Sequence, residues 1–324
     1  MQKRGALRSL AVERQIHPMN IDAQKLFHEM NGSEEGGFAA IHSPVRRSPG
    51  GIPYLCGPGV IVLARPQTSI AGMAGFLEGF DPALNFPQYV DDPTPLPDGA
   101  QLCKAAGQLC YMSFGPKKRS YNAQAIRYFD NLKASGHGSV LEHASFSLLL
   151  YGISRSVTHE LVRHRAGFSF SQVSQRYVSG RMLRFVERPE YRNDEILHTQ
   201  FLRRIERAAS EYAEMAKRLL EMQQAGVTIL SAEERTDLRK KVQQCARSVL
   251  PNETEAPIVV TGNGRSWRHV IEMRADAHAE TEIRELAVRV FLCLRQTDPV
   301  LFSDYTVEQL PDGTYTVKTE FRKV

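Results

Sequence analysis

ELVRHRAGFSFSQVSQRYV, residues 160–178, changes its period midway, and that change sets the reading of the chain. Its first part continues SRSVTHELV from Ser154, placing Val157, Leu161 and Val162 at helical spacing with Ser154 or Ser156 as a cap. On a helix running to about Arg165, Glu160 and Arg163 stand at i and i+3 and share a face. Past the helix, hydroxyls alternate with aromatic rings through FSFSQVS, the period of a strand, with Ser169, Ser171 and Gln172 along one edge. Guanidinium forks beside hydroxyls and an amide are what a phosphate and a uracil edge require. Arg-His-Arg alone is more often a solvated helix end. The whole stretch points instead to an anion and a base held at a helix-to-strand junction.

Outward from there, HASFSLLLYGIS (143–154) predicts a half-buried strand. GVIVLARP (59–66) predicts a strand ended by proline, and PIVVTG (257–262) a buried one. Helical spacing begins at Ala100, and Asn122–Ser135 reads as a helix ending near Gly136. Leu202 to Leu220 repeats apolar residues at three and four. Ser231 and Glu234 form a capping box for a helix ending at Leu250–Pro251, and Ser266 opens a long helix to about Arg295. Residues 1–50 read as a weakly structured lead-in, and the proline-rich 80–97 as a linker. The fold class is α/β of the α+β kind, a mixed central sheet flanked by long helices.

A second informative stretch is GNGRSWRHVIEMRADAHAETEIRELA, residues 262–287. At about 100° per residue, Arg274 and His278 fall within about 20° of Trp267, in the middle of the apolar stripe. A guanidinium there needs a partner, either a core carboxylate (with His278 a satisfied core histidine) or a nucleotide. Ile283, Leu286 and Val290 lie opposite, so this helix is expected to be buried all round. In GHGSVLEH (136–143), His137 and Ser139 in a glycine turn could hold a phosphate or a flavin edge, although the stretch alone reads better as a plain turn with surface histidines. His137 and His143 lack the further ligands of a zinc site. GNGR (262–265) has neither the G-x-G-x-x-G pattern nor a Walker lysine, and no G-x-S-x-G or H-E-x-x-H occurs.

Apolar residues at 42% and charged residues at 24% are ordinary globular composition, and a net +5 does not imply nucleic acid. No run approaches the roughly 18 apolar residues of a membrane span. MQKRGALRSL leads into no apolar run, and Glu13 argues against a transit peptide, so the expected location is cytoplasmic. The five cysteines show no metal or disulfide spacing.

Taken together, GHGSVLEHASF, SRSVTHELVRHR, SFSQVSQRYV, ARSVLP, GNGRSWRHVIEMRADAHAETEIR and PVLFSDY resemble the flavin-dependent thymidylate synthases, from about Ala100 to Tyr305. The resemblance implies FAD-dependent reductive methylation of uracil C5 in dUMP to give dTMP, with methylenetetrahydrofolate and NADPH as co-substrates. It implies a nucleotide held by Arg155 (from a neighbouring subunit), Glu160, Arg163, Gln172, Ser174, Arg176, Arg247 and Arg274. Arg274 would sit beside the uracil ring and favour ionisation at N3, the catalytic role. FAD would be held by His137, Ser139, Arg163, His164, Arg165, Gln172, Asn263, Arg265 and His269, with no metal. A homotetramer with shared sites is implied, and neither nucleic acid nor membrane as a partner. The catalytic domain is placed at 59–308, after an N-terminal extension (1–58, partly irregular) and before a C-terminal tail (309–324).

The family's Arg-His-Arg triplet is followed, most often seven residues on, by Ser; here eight residues, AGFSFSQV, separate Arg165 from Ser174. The extra residue falls at Ala166–Gly167, where a small residue plus glycine can bulge without moving the helix, or can widen the nucleotide pocket or re-aim Arg165. Cys245 alone lies beside these blocks, so cysteine addition to C6 is not indicated. Two alternatives stay open: a UMP or dUMP methylase of a nucleoside-antibiotic pathway, separable by comparing dUMP and UMP turnover, and a non-catalytic nucleotide- or RNA-binding protein. The latter predicts a colourless protein, and the chain lacks the interleaved aromatic residues of RNA binders.

Overall fold

The computed structural model describes residues 20–91, 95–115, 124–177, 182–225, 235–322 and 324. Its strands are β1 (Asn20–Ile21), β2 (Gly32–Glu35), β3 (Phe38–Ile41), β4 (Val45–Arg47), β5 (Pro53–Leu55), β6 (Gly59–Ala64), β7 (Ser145–Tyr151), β8 (Phe168–Gln172), β9 (Phe185–Val186), β10 (Ile258–Asn263), β11 (Thr306–Gln309) and β12 (Tyr315–Lys318). Its helices are α1 (Ala23–Glu29), α2 (Ala74–Leu77), α3 (Asp98–Leu109), α4 (Ala125–Ala134), α5 (Arg155–Leu161), α6 (Glu195–Gln224), α7 (Arg235–Ala246), α8 (Gly264–Arg274) and α9 (Thr281–Thr297).

Six strands form the central sheet in the order β2-β3-β6-β7-β10-β8. The α/β character is as expected, but the sheet is antiparallel at every pairing rather than mixed. The one parallel pair among the described strands, β5 with β9, belongs to a small separate sheet. Alternation explains how the central sheet is covered. Phe146, Leu148 and Leu150 of β7 and Ile258 and Val260 of β10 are buried on one face, where α8 meets β10 and α9 crosses β3 and β6. On the opposite face Ser147 bonds Thr261 at 2.8 Å, Thr261 pairs with Ser169, and Ser169 and Ser171 are exposed. That second face is only partly covered within the chain. A second core cluster, with Tyr54, Phe185, Phe201 and Ile205, seats α6 on the β4-β5-β9 sheet.

The lead-in expected to be weakly structured is ordered from residue 20 onward: β2 and β3 extend the central sheet from β6, so the sheet runs across residue 58. GSEE carries no apolar alternation because β2 is an outer strand with mostly exposed side chains, which hid it from a periodicity reading. α4 ends where Gly136 takes a φ of 71°, as its glycine suggested. Asn122, where that helix was expected to begin, the Ser231–Glu234 capping box and the first nineteen residues lie outside the described residues.

The expected long helix from Ser266 to Arg295 is two helices. α8 is capped by Asn263, whose side chain accepts from Ser266 N, and it stops at Arg274. The Ala275 carbonyl is taken by Val317 N and Thr316 Oγ1 of β12. Glu280 then starts α9 by accepting from the Glu282 and Ile283 amides. His278, expected in the apolar stripe, consequently sits in the connection with its side chain 97% exposed, paired with its own Asp276. α9 itself is buried over most of its length, as expected.

Candidate active site

Two helix ends meet at the residues singled out by the sequence. Ser154 caps α5 through Val157 N, and α5 ends at Leu161, four residues short of the expected Arg165. Bonds from Arg163 N to the Glu160 carbonyl and from His164 N to the Leu161 carbonyl tighten the chain there, so the Arg-His-Arg triplet occupies the turn after the helix. Arg274 ends α8 beside this turn. Its Nε donates to His164 Nε2 at 2.9 Å and its Nη1 to Glu160 Oε2 at 2.9 Å. The partner that a half-buried guanidinium requires is therefore a carboxylate some 110 residues earlier in the chain.

Burial lowers the His164 pKa to about 4, helped by the charges of Arg274 and His269. His164 is thus neutral at ordinary pH, and because Nε2 accepts from Arg274 its proton resides on Nδ1. Its ring meets that of His269 edge-on at 5.8 Å. Arg163 and Arg165 are exposed and have no carboxylate partner among the described residues; Arg163 Nη2 lies 3.4 Å from His159 Nε2.

The other end of α8 gathers a second set. Ser266 Oγ donates to the Ala166 carbonyl at 2.9 Å, which ties the Ala166–Gly167 turn to the start of the helix. Gly167 has a φ of 73°, and a Cβ there would lie 2.1 Å from Ser266 Oγ and 2.7 Å from Asn263 Nδ2. Ala166–Gly167 is thus a tight turn before β8 that favours glycine. Arg265 pairs with Glu142 at 2.7 Å, and its Nε is 3.1 Å from where a Cβ on Gly138 would sit. His137, Gly138 and Ser139 therefore lie beside α8, His137 and Ser139 exposed. Arg265 and His269, four residues apart on α8, face the same way.

Gln172 departs from expectation. It pairs with buried Ile258 in the register, so it faces the helix side and donates to Thr158 Oγ1 at 3.3 Å, while Ser169 and Ser171 face the other way. Arg155, Ser174, Arg176 and Arg247 are not brought to the Glu160–Arg274 pair. Arg155 is the first residue of α5, roughly 9 Å of helix rise from Leu161, after which the triplet follows. Its amide is bonded to the Asn252 and Thr254 carbonyls, just after the turn Arg247–Val249 that ends α7. Arg176 lies over the Tyr177 ring at 5.7 Å, and Lys240 of α7 over the same ring at 5.4 Å. Arg155 and Arg163 thus lie at opposite ends of α5, and the segment after Arg247 is bonded at the Arg155 end. Glu142, Thr158, Lys240 and Ser266 were missed as contributors: the first, second and fourth stood inside quoted motifs, but the partners of all four lie elsewhere in the sequence.

A site with two exposed guanidiniums that have no carboxylate partner among the described residues, a neutral histidine and a tight glycine turn suits a large polyanionic aromatic ligand. The donor set fits FAD, whose pyrophosphate takes charge-assisted hydrogen bonds from guanidiniums such as Arg163 and Arg165. Among the described residues no group of acidic, histidine or cysteine side chains could hold a metal ion, and no helix is long and apolar enough to cross a membrane.

The family of thymidylate synthase complementing proteins matches residues 93–300. A flavin-dependent thymidylate synthase of Mycolicibacterium gilvum (strain PYR-GCK) is 42% identical over 231 residues, covering 70% of this chain and 88% of that protein. One from Mycobacterium leprae (strain Br4923) is 41% identical over 231 residues, again 70% and 88% of the two chains. One from Mycobacterium bovis (strain BCG / Pasteur 1173P2) is 43% identical over 219 residues, 67% of this chain and 83% of that protein.

Proposed function

We propose a role for each part of this site from one premise: the chain belongs to the thymidylate synthase complementing protein family and is a flavin-dependent thymidylate synthase. It converts dUMP to dTMP and uses FAD. The observation that supports our reading of the site is the fork of Arg274 onto Glu160 and His164, beside Arg163 and Arg165, which have no carboxylate partner among the described residues.

Bound FAD, reduced by NADPH, supplies the hydride that completes the methyl group carried in by methylenetetrahydrofolate. The chain's own residues orient and charge the substrate. Arg274 takes the uracil edge and stabilises the ring ionised at N3, which raises electron density at C5; such electrostatic stabilisation is worth about 3–4 kcal/mol. Glu160 holds the Arg274 guanidinium in plane and, with Arg163, contacts the nucleotide. His164 stays neutral and accepts from Arg274, so it adds no charge of its own beside the ring. Arg163, His164, Arg165, Asn263, Arg265 and His269, with His137 and Ser139, form the FAD side, and Gln172 borders both ligands. No metal enters this scheme.

We assign no cysteine to addition at C6. Burial pushes the Cys56 thiol up to about 11 and Cys103 up to about 12, and Cys245 is exposed on α7.

Ser174, Arg176, Arg247 and Arg155 bind the phosphate and base from the other end of α5, and they do so in a site completed by a neighbouring subunit. The separation of Arg155 from Arg163 along α5 supports this, as does the partly covered face of the central sheet, which a second copy would bury in a homotetramer. We draw the catalytic domain as residues 59–308, with the N-terminal extension adding strands to its sheet and 309–324 as a tail. The substrates are small molecules, with neither nucleic acid nor membrane as partner, and the location is cytoplasmic.

The test is direct. The purified chain is expected to show flavin absorbance and, given dUMP, methylenetetrahydrofolate and NADPH, to form dTMP faster than it methylates UMP. A colourless protein that forms no dTMP on addition of FAD would overturn this reading.

A further inference from the structure

The first turn of α9 lies outside the Glu160–Arg274 pair but is bonded to both segments that present it. Glu282, 1% exposed, uses both carboxylate oxygens on one residue: Ser154 N donates to Oε1 at 2.7 Å and Ser154 Oγ to Oε2 at 2.8 Å. Ser154 is the cap of α5, and its own hydroxyl and carbonyl receive the Val157 and Thr158 amides. α5 has only seven residues, so Glu160 stands about 9 Å of helix rise from that cap, and any rotation there is carried to it. Two residues beyond Glu282, Arg284 Nη1 donates to the carbonyls of Ala277 at 2.7 Å and Ala279 at 3.3 Å, while its Nη2 is held by Asp312 and Thr314. Those carbonyls belong to the connection that leaves Arg274.

We propose that Glu282 is a positioning residue: by fastening the cap of α5, while Arg284 fastens the segment after Arg274, it sets the separation of Glu160 and Arg274 and so the fit of the pyrimidine nucleotide. This rests on the binding roles assigned above to that pair. A buried carboxylate is a costly fastener if stability alone is at stake, since desolvating an anion is only offset by close cations or several donors. The nearest cation, Arg188 Nη1, is 3.8 Å from Glu282 and is engaged more closely by Glu280 and Glu190. On the strand side, the charges near Ser154 are Glu255, which accepts from Gly152 N, and its partner Arg184. Burial pushes Glu282 up to about 7 against the two Ser154 hydrogen bonds, with Glu280 raising it further and Arg188 opposing. The carboxylate is therefore ionised above that pH, and on protonation one oxygen becomes a donor and one of the two Ser154 donors loses its acceptor.

The experiment measures dUMP KM and kcat per bound flavin across about two pH units centred near 7 for the FAD-loaded wild type, Glu282→Gln, Glu282→Asp and Ser154→Ala. In the wild type KM should rise as pH falls through that region. In Glu282→Gln, which can accept only one of the two Ser154 bonds, KM should be raised about tenfold with a flat pH dependence, because small displacements at a binding pair carry large losses. Glu282→Asp should restore part of the pH dependence, and Ser154→Ala should move KM in the same direction as the Gln variant. A merely structural role would lower thermal stability and the active fraction yet leave KM and its pH profile as in the wild type. That result in Glu282→Gln, or in Ser154→Ala if the former does not fold, overturns the proposal. Arg274→Ala measured alongside separates the two readings: a wild-type dUMP KM there removes the binding role of the pair itself, whereas a raised KM there beside an unchanged Glu282→Gln removes only the positioning role.

Discussion

Replacing Arg274 by alanine deletes two hydrogen bonds at once, to His164 Nε2 and to Glu160 Oε2, both 2.9 Å long. The cost to stability should be small. The Arg274 and Glu160 side chains are 24% and 35% exposed, and ion pairs this open to water contribute about 0–1 kcal/mol. The cost to catalysis should be much larger, because the guanidinium acts where charge develops in the ring. Removing one such group costs about 10²–10³ in kcat. A third consequence follows for His164. Burial still lowers its pKa, but the nearest charge opposing its protonation is gone, so it should titrate above its present value of about 4. The assay is dTMP formation per bound flavin, with the flavin spectrum and a thermal melt as controls and the His164 ring resonances followed by NMR against pH. Turnover per flavin within about threefold of wild type, in a protein that melts normally, would refute the electrostatic role of Arg274.

Other expectations concern the frame around the site. Gly167→Ala, forcing a Cβ to 2.1 Å from Ser266 Oγ at a φ of 73°, should destabilise the fold by about 1–3 kcal/mol in urea melts and weaken FAD binding; an unchanged melt would show that the turn can be rebuilt. Asp304, buried between Lys133 at 2.7 Å and Arg268 at 2.8 Å, should on change to Asn cost about 3–5 kcal/mol, since buried Arg268 loses its carboxylate and Lys133 is left with Asp130 at 3.3 Å. Burial alone would raise the Asp304 pKa, but the hydrogen bonds and charges of Arg268 and Lys133 hold it well below the usual carboxylate range. Its contribution is therefore full above the unfolded value of about 3.9 and fades only as pH falls toward the folded one. The gap between wild type and Asp304→Asn should accordingly stay constant from neutral pH down to about 4; a gap that closed near neutral pH would contradict the assignment.

Much of this was written locally in the chain. The alternation in HASFSLLLYGIS and FSFSQVS, the three-and-four spacing of α6 and the glycine after α4 each state their element, because backbone sterics and one-sided burial act over a few residues. Other features depended on partners far away. Nothing in RADAHAE interrupts helical spacing; the break between α8 and α9 comes from β12 taking the Ala275 carbonyl and from Glu280 capping the next helix, so His278 emerged exposed. Arg274 could be seen to need a partner, but Glu160 could not be named without either the fold or the family resemblance. Gln172 was placed on the serine edge although strict alternation puts it opposite Ser171, and its contact with Thr158 follows from that. Arg163, Arg165 and Arg176 read as one cluster in sequence although β8 lies between Arg165 and Arg176.

The most direct measurement is the position of the uracil in a crystal structure of the FAD-loaded protein with dUMP. The account predicts the Arg274 guanidinium within hydrogen-bonding distance, about 2.7–3.2 Å, of the ring's polar edge, with Glu160 and Arg163 of the same chain on the nucleotide. A dUMP ring bound elsewhere, with Arg274 still engaged only by Glu160 and His164, would contradict it.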